Sequence, residues 1–81
     1  MEGLTEGRIV HYVAYNNRHL ASIIIGLNPG AEAEMPVKTD LAVFTSMRNI
    51  AGTRNGGLQF HFDIPYNDGK TPGTWHWIER T

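Results

Sequence analysis

The sequence contains no cysteine among its 81 residues. Disulfide bonds and thiolate-ligated metal sites are therefore excluded. Long apolar runs are also missing, because the stretch Ile23-Ile24-Ile25 is far shorter than the roughly 20 residues that a membrane-spanning helix needs. The first seven residues include two glutamates and no apolar run, so we expect neither a secretion signal nor membrane insertion.

The sequence also lacks an excess of either positive or negative charge. Seven lysines and arginines stand against eight aspartates and glutamates, which gives a net charge of −1. The basic residues are scattered singly along the chain, whereas proteins that bind nucleic acid usually carry a basic patch. The composition therefore argues against nucleic-acid binding, and a barrel that binds single-stranded nucleic acid is kept only as an alternative function.

What the sequence does contain is alternation of apolar and polar residues, broken into short pieces by nine glycines and four prolines. This pattern is typical of β-strands joined by tight turns. The predicted strands cover residues 8–15, 19–27, 39–47, 58–66 and 74–79. We predict one all-β domain over residues 1–81, with residues 1–6 flexible. The expected fold is a small five-stranded antiparallel barrel, Src-homology-3-like, with an OB-like barrel as the alternative.

The fourth predicted strand shows the cleanest alternation. We expect one of its faces to line the barrel interior together with one or both tryptophans. That inward set is Leu58, Phe60, Phe62 and Ile64. If Asn16-Asn17 forms a two-residue hairpin turn, Val13 lies opposite Leu20, and Ile9 lies opposite Ile24.

Histidine offers the strongest candidates for metal chemistry. If the fourth and fifth strands pair, His61, Asp63 and His76 share a polar face and can bind zinc. The alternative is a solvated sheet face on which Asp63 and His76 form a cross-strand pair. No metal-ligand spacing motif accompanies these residues, so we expect no metal site and no cofactor.

Catalysis has little support from the residues. The chain offers no thiol nucleophile, and its two serines stand in apolar strands rather than in a nucleophile elbow. A domain of this size also has little room for a closed pocket. We therefore expect a binding protein rather than an enzyme, with a metal-dependent activity kept as the last alternative.

Aromatic residues are the remaining signal for function. Tryptophan and tyrosine are enriched where proteins bind partners, and their faces stack on ligands. The predicted stacking or packing groups are Tyr12, Tyr15, Tyr66, Trp75 and Trp77. Arg48 and Arg54, beside the glycine-rich residues 52–57, are the predicted contacts to an anionic ligand.

The order of five short segments, residues 7–13, 20–25, 41–44, 64–67 and 73–77, also carries a resemblance. Val10-His11-Tyr12-Val13 near the start and Gly73-Thr74-Trp75-His76-Trp77 near the end resemble those of small proteins from bacteriophages, prophages and some actinobacteria. The resemblance covers nearly the whole chain. That group has no agreed activity, so the resemblance implies a phage setting in the cytoplasm of a bacterial host and no catalytic residue.

These observations lead to one functional hypothesis with two alternatives. The leading hypothesis is an anti-defence protein of phage type, a homo-oligomer that blocks a host protein or sequesters a small anionic signalling ligand of host defence. One alternative is the single-stranded nucleic-acid-binding barrel. The other is a structural or assembly component of a virion.

Overall fold

A computed structural model describes residues 3–27, 36–45 and 57–78 of the chain. Within these ranges a strand forms at each of the five predicted positions, and residues 46, 47 and 79 of the predicted strands lie outside the described residues. The strands are β1 (Ile9–Val13), β2 (His19–Gly26), β3 (Lys38–Thr45), β4 (Gly57–Pro65) and β5 (Trp75–His76). Within the same ranges, no helix has the length and apolar character that crossing a bilayer requires.

All five strands belong to one sheet in the order β4-β3-β2-β1-β5, and every ladder is antiparallel. The first four strands follow one another across the sheet, and the chain then returns to place β5 beside β1. The predicted fold class is confirmed: the chain forms an all-β, five-stranded antiparallel sheet curled into a half-barrel of the Src-homology-3-like or OB-like kind.

The curl brings together strands that are not neighbours in the sheet. Tyr12 of β1 and His61 of β4 have ring centroids 4.8 Å apart, although β2 and β3 separate their strands. At one end, Tyr66 forms a bridge with Trp75 just beyond β4. The backbone N–H of Tyr66 and Nε1 of Trp75 both donate to the carbonyl of Val37, at 2.7 and 3.4 Å.

The core lies inside the curl of the sheet. Its buried side chains are Leu4, Val10, Ala14, Leu20, Ile24, Val37, Leu41, Val43 and Trp75. Leu4, one of the residues 1–6 predicted to be flexible, packs its side chain into this core. Met1 and Glu2 lie outside the described residues.

The predicted register of the first hairpin is wrong by one residue. Val13 lies opposite His19 and Ile9 opposite Ile23. The turn has three residues rather than two: Ala14 N–H donates to the carbonyl of Arg18 at 2.9 Å, and Asn17 adopts a φ of 63°. Asparagine tolerates this left-handed conformation, which closes three-residue hairpins. A shift of one residue transfers every side chain of β2 to the other face relative to β1.

The predicted inward set of β4 is also wrong for three of its four members. Leu58, Phe60 and Phe62 are 48, 57 and 65% exposed, whereas Ile64 packs against the core. The pairing with β3 shows how these residues come to lie on opposite faces. Side chains directly opposite one another share a face. Leu41 of the core lies opposite His61, and the buried Thr39 lies opposite Ile64, so His61 and Ile64 face inward. Phe60 and Phe62, the neighbours of His61, therefore face outward.

A bulge in β4 explains this division. The register shifts between Thr39 and Leu41, where Phe62 and Asp63 both stand against Asp40. Asp63 has a φ of 54°, and its backbone N–H donates to the Asp40 carboxylate at 3.0 Å. One extra residue reverses the alternation, so β4 turns its phenylalanines outward and its last isoleucine inward.

Candidate functional site

Three histidines meet on the outer face of the sheet where β1, β2 and β5 run side by side. His11 lies directly opposite His76, and His19 begins β2 diagonally across from His11. Ring centroids are 5.6 Å apart for His11 and His76, 4.9 Å for His19 and His76, and 6.1 Å for His11 and His19. Each ring offers one nitrogen such that the three atoms lie within 4.8 Å of one another. We call these residues the histidine cluster.

The histidine cluster is graded in its exposure to solvent. His76 is 1% exposed, His11 is half-buried and His19 is exposed. Ala21, which lies opposite His11 on β2, is small and exposed and leaves the outer side open. The cluster is therefore buried at His76 and accessible to solvent at His19. Imidazole nitrogens in such an arrangement are suited to a transition-metal ion.

The metal-binding set predicted from the sequence does not come together. The proposed convergence required β4 to pair with β5, but β5 pairs with β1. His61 lies opposite the buried Leu41 on the inner face, whereas His76 lies opposite His11 on the outer face. Asp63 is held in the bulge. Of the three predicted residues, only His76 belongs to the histidine cluster.

Three of the predicted binding aromatics do come together near β5. Trp75 is fully buried and makes edge-to-face contacts with Tyr66 and Trp77, with ring centroids 5.0 and 5.2 Å away. The guanidinium of Arg8 stands 5.4 Å from the centre of the Trp77 ring, within the range of a cation–π contact. Trp75 is thus a packing group, whereas the partly buried Tyr66 and Trp77 reach the surface.

The tyrosine hydroxyls of this region stay protonated at neutral pH. Burial raises the pKa of Tyr12 above its ordinary value. The pKa of Tyr66 is raised first by burial and then by the charge of Asp68, to which its hydroxyl donates at 3.5 Å. Both groups are therefore neutral hydrogen-bond donors.

The other predicted binding residues are not part of this group. Tyr15 is 67% exposed in the turn between β1 and β2. Arg48 and Arg54, with the glycine-rich segment predicted to bind an anion, lie outside the described residues.

A second surface feature was not predicted. Phe44 of β3 and Leu58, Phe60 and Phe62 of β4 are all exposed. Phe44 lies opposite Leu58 and shares the outer face with it and with Phe60. We call these four residues the phenylalanine face. It borders the outer edge of β4, with which no strand in the described parts of the chain pairs.

Sequence reasoning missed two members of the histidine cluster, His11 and His19. The signal that points to them is the register of the first hairpin. With the predicted two-residue turn, His11 and His19 fall on opposite faces. The three-residue turn places them on the same face, because Val13 then lies opposite His19.

No protein-family model, curated protein or solved structure matches this chain. Its geometry therefore supplies the functional argument. Val10-His11-Tyr12-Val13 lies within β1 and Gly73-Thr74-Trp75-His76-Trp77 contains β5, so these two segments lie side by side with His11 opposite His76.

Proposed function

We propose that this protein is a non-enzymatic binding protein that acts as a homodimer, with the phenylalanine face and the outer edge of β4 as the dimer interface. The observation that supports it most strongly is the exposure of four large apolar side chains beside a strand edge that no other described strand covers. Soluble monomers avoid this combination, because an exposed apolar edge strand recruits another chain.

The exposed apolar area can supply a large part of the area that each partner buries in a stable protein interface. Phe44, Phe60 and Phe62 are 46, 57 and 65% exposed, and an aromatic side chain covers 150–250 Å², so these three expose roughly 300 Å². On β1, Ile9 continues the same face. A stable interface needs about 800 Å² from each partner, which the phenylalanine face, its neighbours and the backbone edge can supply together.

A second copy is the occupant that fits this surface. In an antiparallel pairing of two β4 strands centred on His61, Phe60 of one chain lies opposite Phe62 of the partner subunit, and the reverse. Such a two-fold pairing is self-complementary, and cross-strand aromatic pairs stabilise sheets. The net charge of −1 leaves little repulsion between copies.

Light scattering coupled to size-exclusion chromatography tests the dimer. The wild-type protein is expected to have twice the 9.1 kDa mass of one chain, with dissociation only below micromolar concentrations. Phe60→Glu and Phe62→Glu place a charge in the interface and are expected to give monomers. Tyr15→Glu is the matched control, since it adds the same charge at another exposed aromatic residue.

Two results would overturn the dimer. The first is a wild-type protein that remains monomeric up to about 100 µM, a concentration at which weak interfaces with micromolar dissociation constants are filled. The second is equal dissociation by Tyr15→Glu. Circular dichroism shows whether each variant keeps its strands, and the substituted side chains are exposed enough for the fold to survive.

In the phage setting that the resemblance implies, we propose that this dimer blocks a host protein or sequesters a small anionic ligand of host defence. Support comes from Tyr66 and Trp77, whose partly buried rings reach the surface away from the dimer interface, and from Arg8, whose guanidinium lies over the Trp77 ring. Native mass spectrometry of protein purified from bacterial cells reports subunit number and any retained ligand together. Detection of only ligand-free protein, alone and after incubation with a cell extract, would count against sequestration.

A further inference from the structure

We propose that the histidine cluster, His11, His19 and His76, is a binding site for a zinc-class divalent metal ion. The site is on a different part of the sheet from the phenylalanine face and does not depend on the dimer. Three imidazoles from three strands supply three nitrogen ligands, and the fourth position remains open to water or to an incoming ligand.

Strand pairing positions the three histidines close together without a bound metal. His11 and His76 are direct cross-strand neighbours, and His19 is held by the hairpin register two residues from Ala21, the partner of His11. Because adjacent strands fix all three Cβ positions on one face, little backbone rearrangement is needed to assemble the site. A site on strands is more precisely held than one on loops.

The distances require only side-chain motion. Around tetrahedral zinc, with Zn–N bonds of about 2.0–2.1 Å, ligand nitrogens are about 3.3 Å apart. The three nitrogens lie within 4.8 Å of one another, so no pair must approach by more than about 1.5 Å. The exposed His19 and the half-buried His11 can rotate toward the buried His76 to close that gap.

The donor set selects the kind of metal. Imidazole is a preferred ligand of zinc, copper, nickel and cobalt, whereas calcium and magnesium require oxygen ligands. Within the described residues, the group that converges consists of three histidines and includes no carboxylate. We therefore expect Zn²⁺ and Co²⁺ to bind and Ca²⁺ and Mg²⁺ to leave the site empty.

The test uses the full chain with any affinity tag removed, so that no added histidines compete. Isothermal titration with Zn²⁺ at pH 7.5 is expected to show one ion per chain. Titration with Co²⁺ is expected to give the visible absorption bands of a four-coordinate ion. Zinc should also raise the melting temperature, because an ion that binds only the folded state stabilises it.

Two variants test the ligands, and a third is their control. His19→Ala and His11→Ala should each weaken Zn²⁺ binding by at least about tenfold, since even the loss of an outer-shell partner costs that much. His61→Ala is the matched control: it removes an imidazole from the inner face, where it contacts Tyr12, and should leave zinc affinity unchanged within about twofold. His19 is exposed, so its substitution keeps the test informative if a more buried variant fails to fold.

The proposal is overturned if the wild-type protein takes up no Zn²⁺. It is equally overturned if His19→Ala and His61→Ala bind zinc alike, or if Mg²⁺ binds as tightly as Zn²⁺. Light scattering with and without zinc separates this site from the dimer, because loss of zinc binding in His19→Ala should not change the subunit number.

Discussion

Two segments of this chain have the same pattern and opposite orientations. Phe60-His61-Phe62 in β4 and Trp75-His76-Trp77 in and after β5 each set a histidine between two aromatic residues. In β5 the aromatic Trp75 is buried in the core and His76 lies on the outer face. In β4 both phenylalanines are exposed, and His61 is the residue that faces inward.

The pairing partners explain the difference. Trp75 lies opposite Tyr12, which lines the interior, whereas Phe60 lies opposite Ala42 on the outer face. β5 pairs with β1, and its first residue, Trp75, also forms a β-bridge with Tyr66. The outer edge of β4 has no partner within the described residues. Alternation thus divides a strand into two faces, but the neighbouring strands decide which face is inside.

Burial of the aromatic residues provides the largest expected effect. Trp75→Ala should destabilise the protein by about 3–5 kcal/mol, because it removes a fully buried aromatic side chain and leaves a cavity. Phe62→Ala should change stability by less than about 0.5 kcal/mol in the monomer. Urea unfolding of both variants at low protein concentration measures the two values. Similar losses would show that the two segments are not oriented oppositely.

A small domain can unfold altogether on losing Trp75, since total stabilities are only about 5–15 kcal/mol. Trp75→Phe then provides the measurement, with a smaller loss that still exceeds that of Phe62→Ala. Phe62→Leu is its matched counterpart on the exposed face.

The bulge that turns the phenylalanines outward provides a smaller effect. Asp63→Val should cost about 1–3 kcal/mol, because a β-branched residue is strained at a φ of 54°. Glycine adopts this φ without strain, and Asp63→Gly retains the backbone N–H that donates to Asp40. The free energy of unfolding of this variant should therefore stay within about 1 kcal/mol of the wild-type value. Urea unfolding compares them. A less stable glycine than valine variant would contradict the left-handed bulge.

The smallest effect concerns the contact between Tyr12 and the inward His61. The raised pKa of Tyr12 means that the folded state holds this proton more tightly than the unfolded chain does. Its contribution to stability is therefore complete below about pH 10, the ordinary tyrosine pKa, and is lost as pH rises further. Tyr12→Phe should weaken the decline of stability above about pH 10.

Urea unfolding at several pH values measures this decline. Tyr15→Phe removes the same hydroxyl from a largely exposed side chain and is the matched control. An unchanged alkaline decline in Tyr12→Phe would contradict the inward placement of Tyr12. Because the pKa of Tyr66 is raised in the same direction, part of the decline should remain in every single variant.

Much of the fold follows from local patterns. The five strands appear where apolar residues alternate, and Asn17 lies in the first turn as its residue type suggests. The candidate sites were harder to predict. His76 was recognised as a possible ligand, but its partners were misassigned, because strand pairing and a one-residue register difference depend on contacts between distant parts of the chain.

The amino-acid sequence by itself determined the strands and the all-β class, because these depend on the alternation of apolar and polar side chains. Only the tertiary structure decided that His11, His19 and His76 meet, and that Phe60 and Phe62 face outward. The physical reason is the two-residue period of a strand: one extra residue in a turn or bulge, stabilised by contacts far away in the chain, exchanges inside for outside.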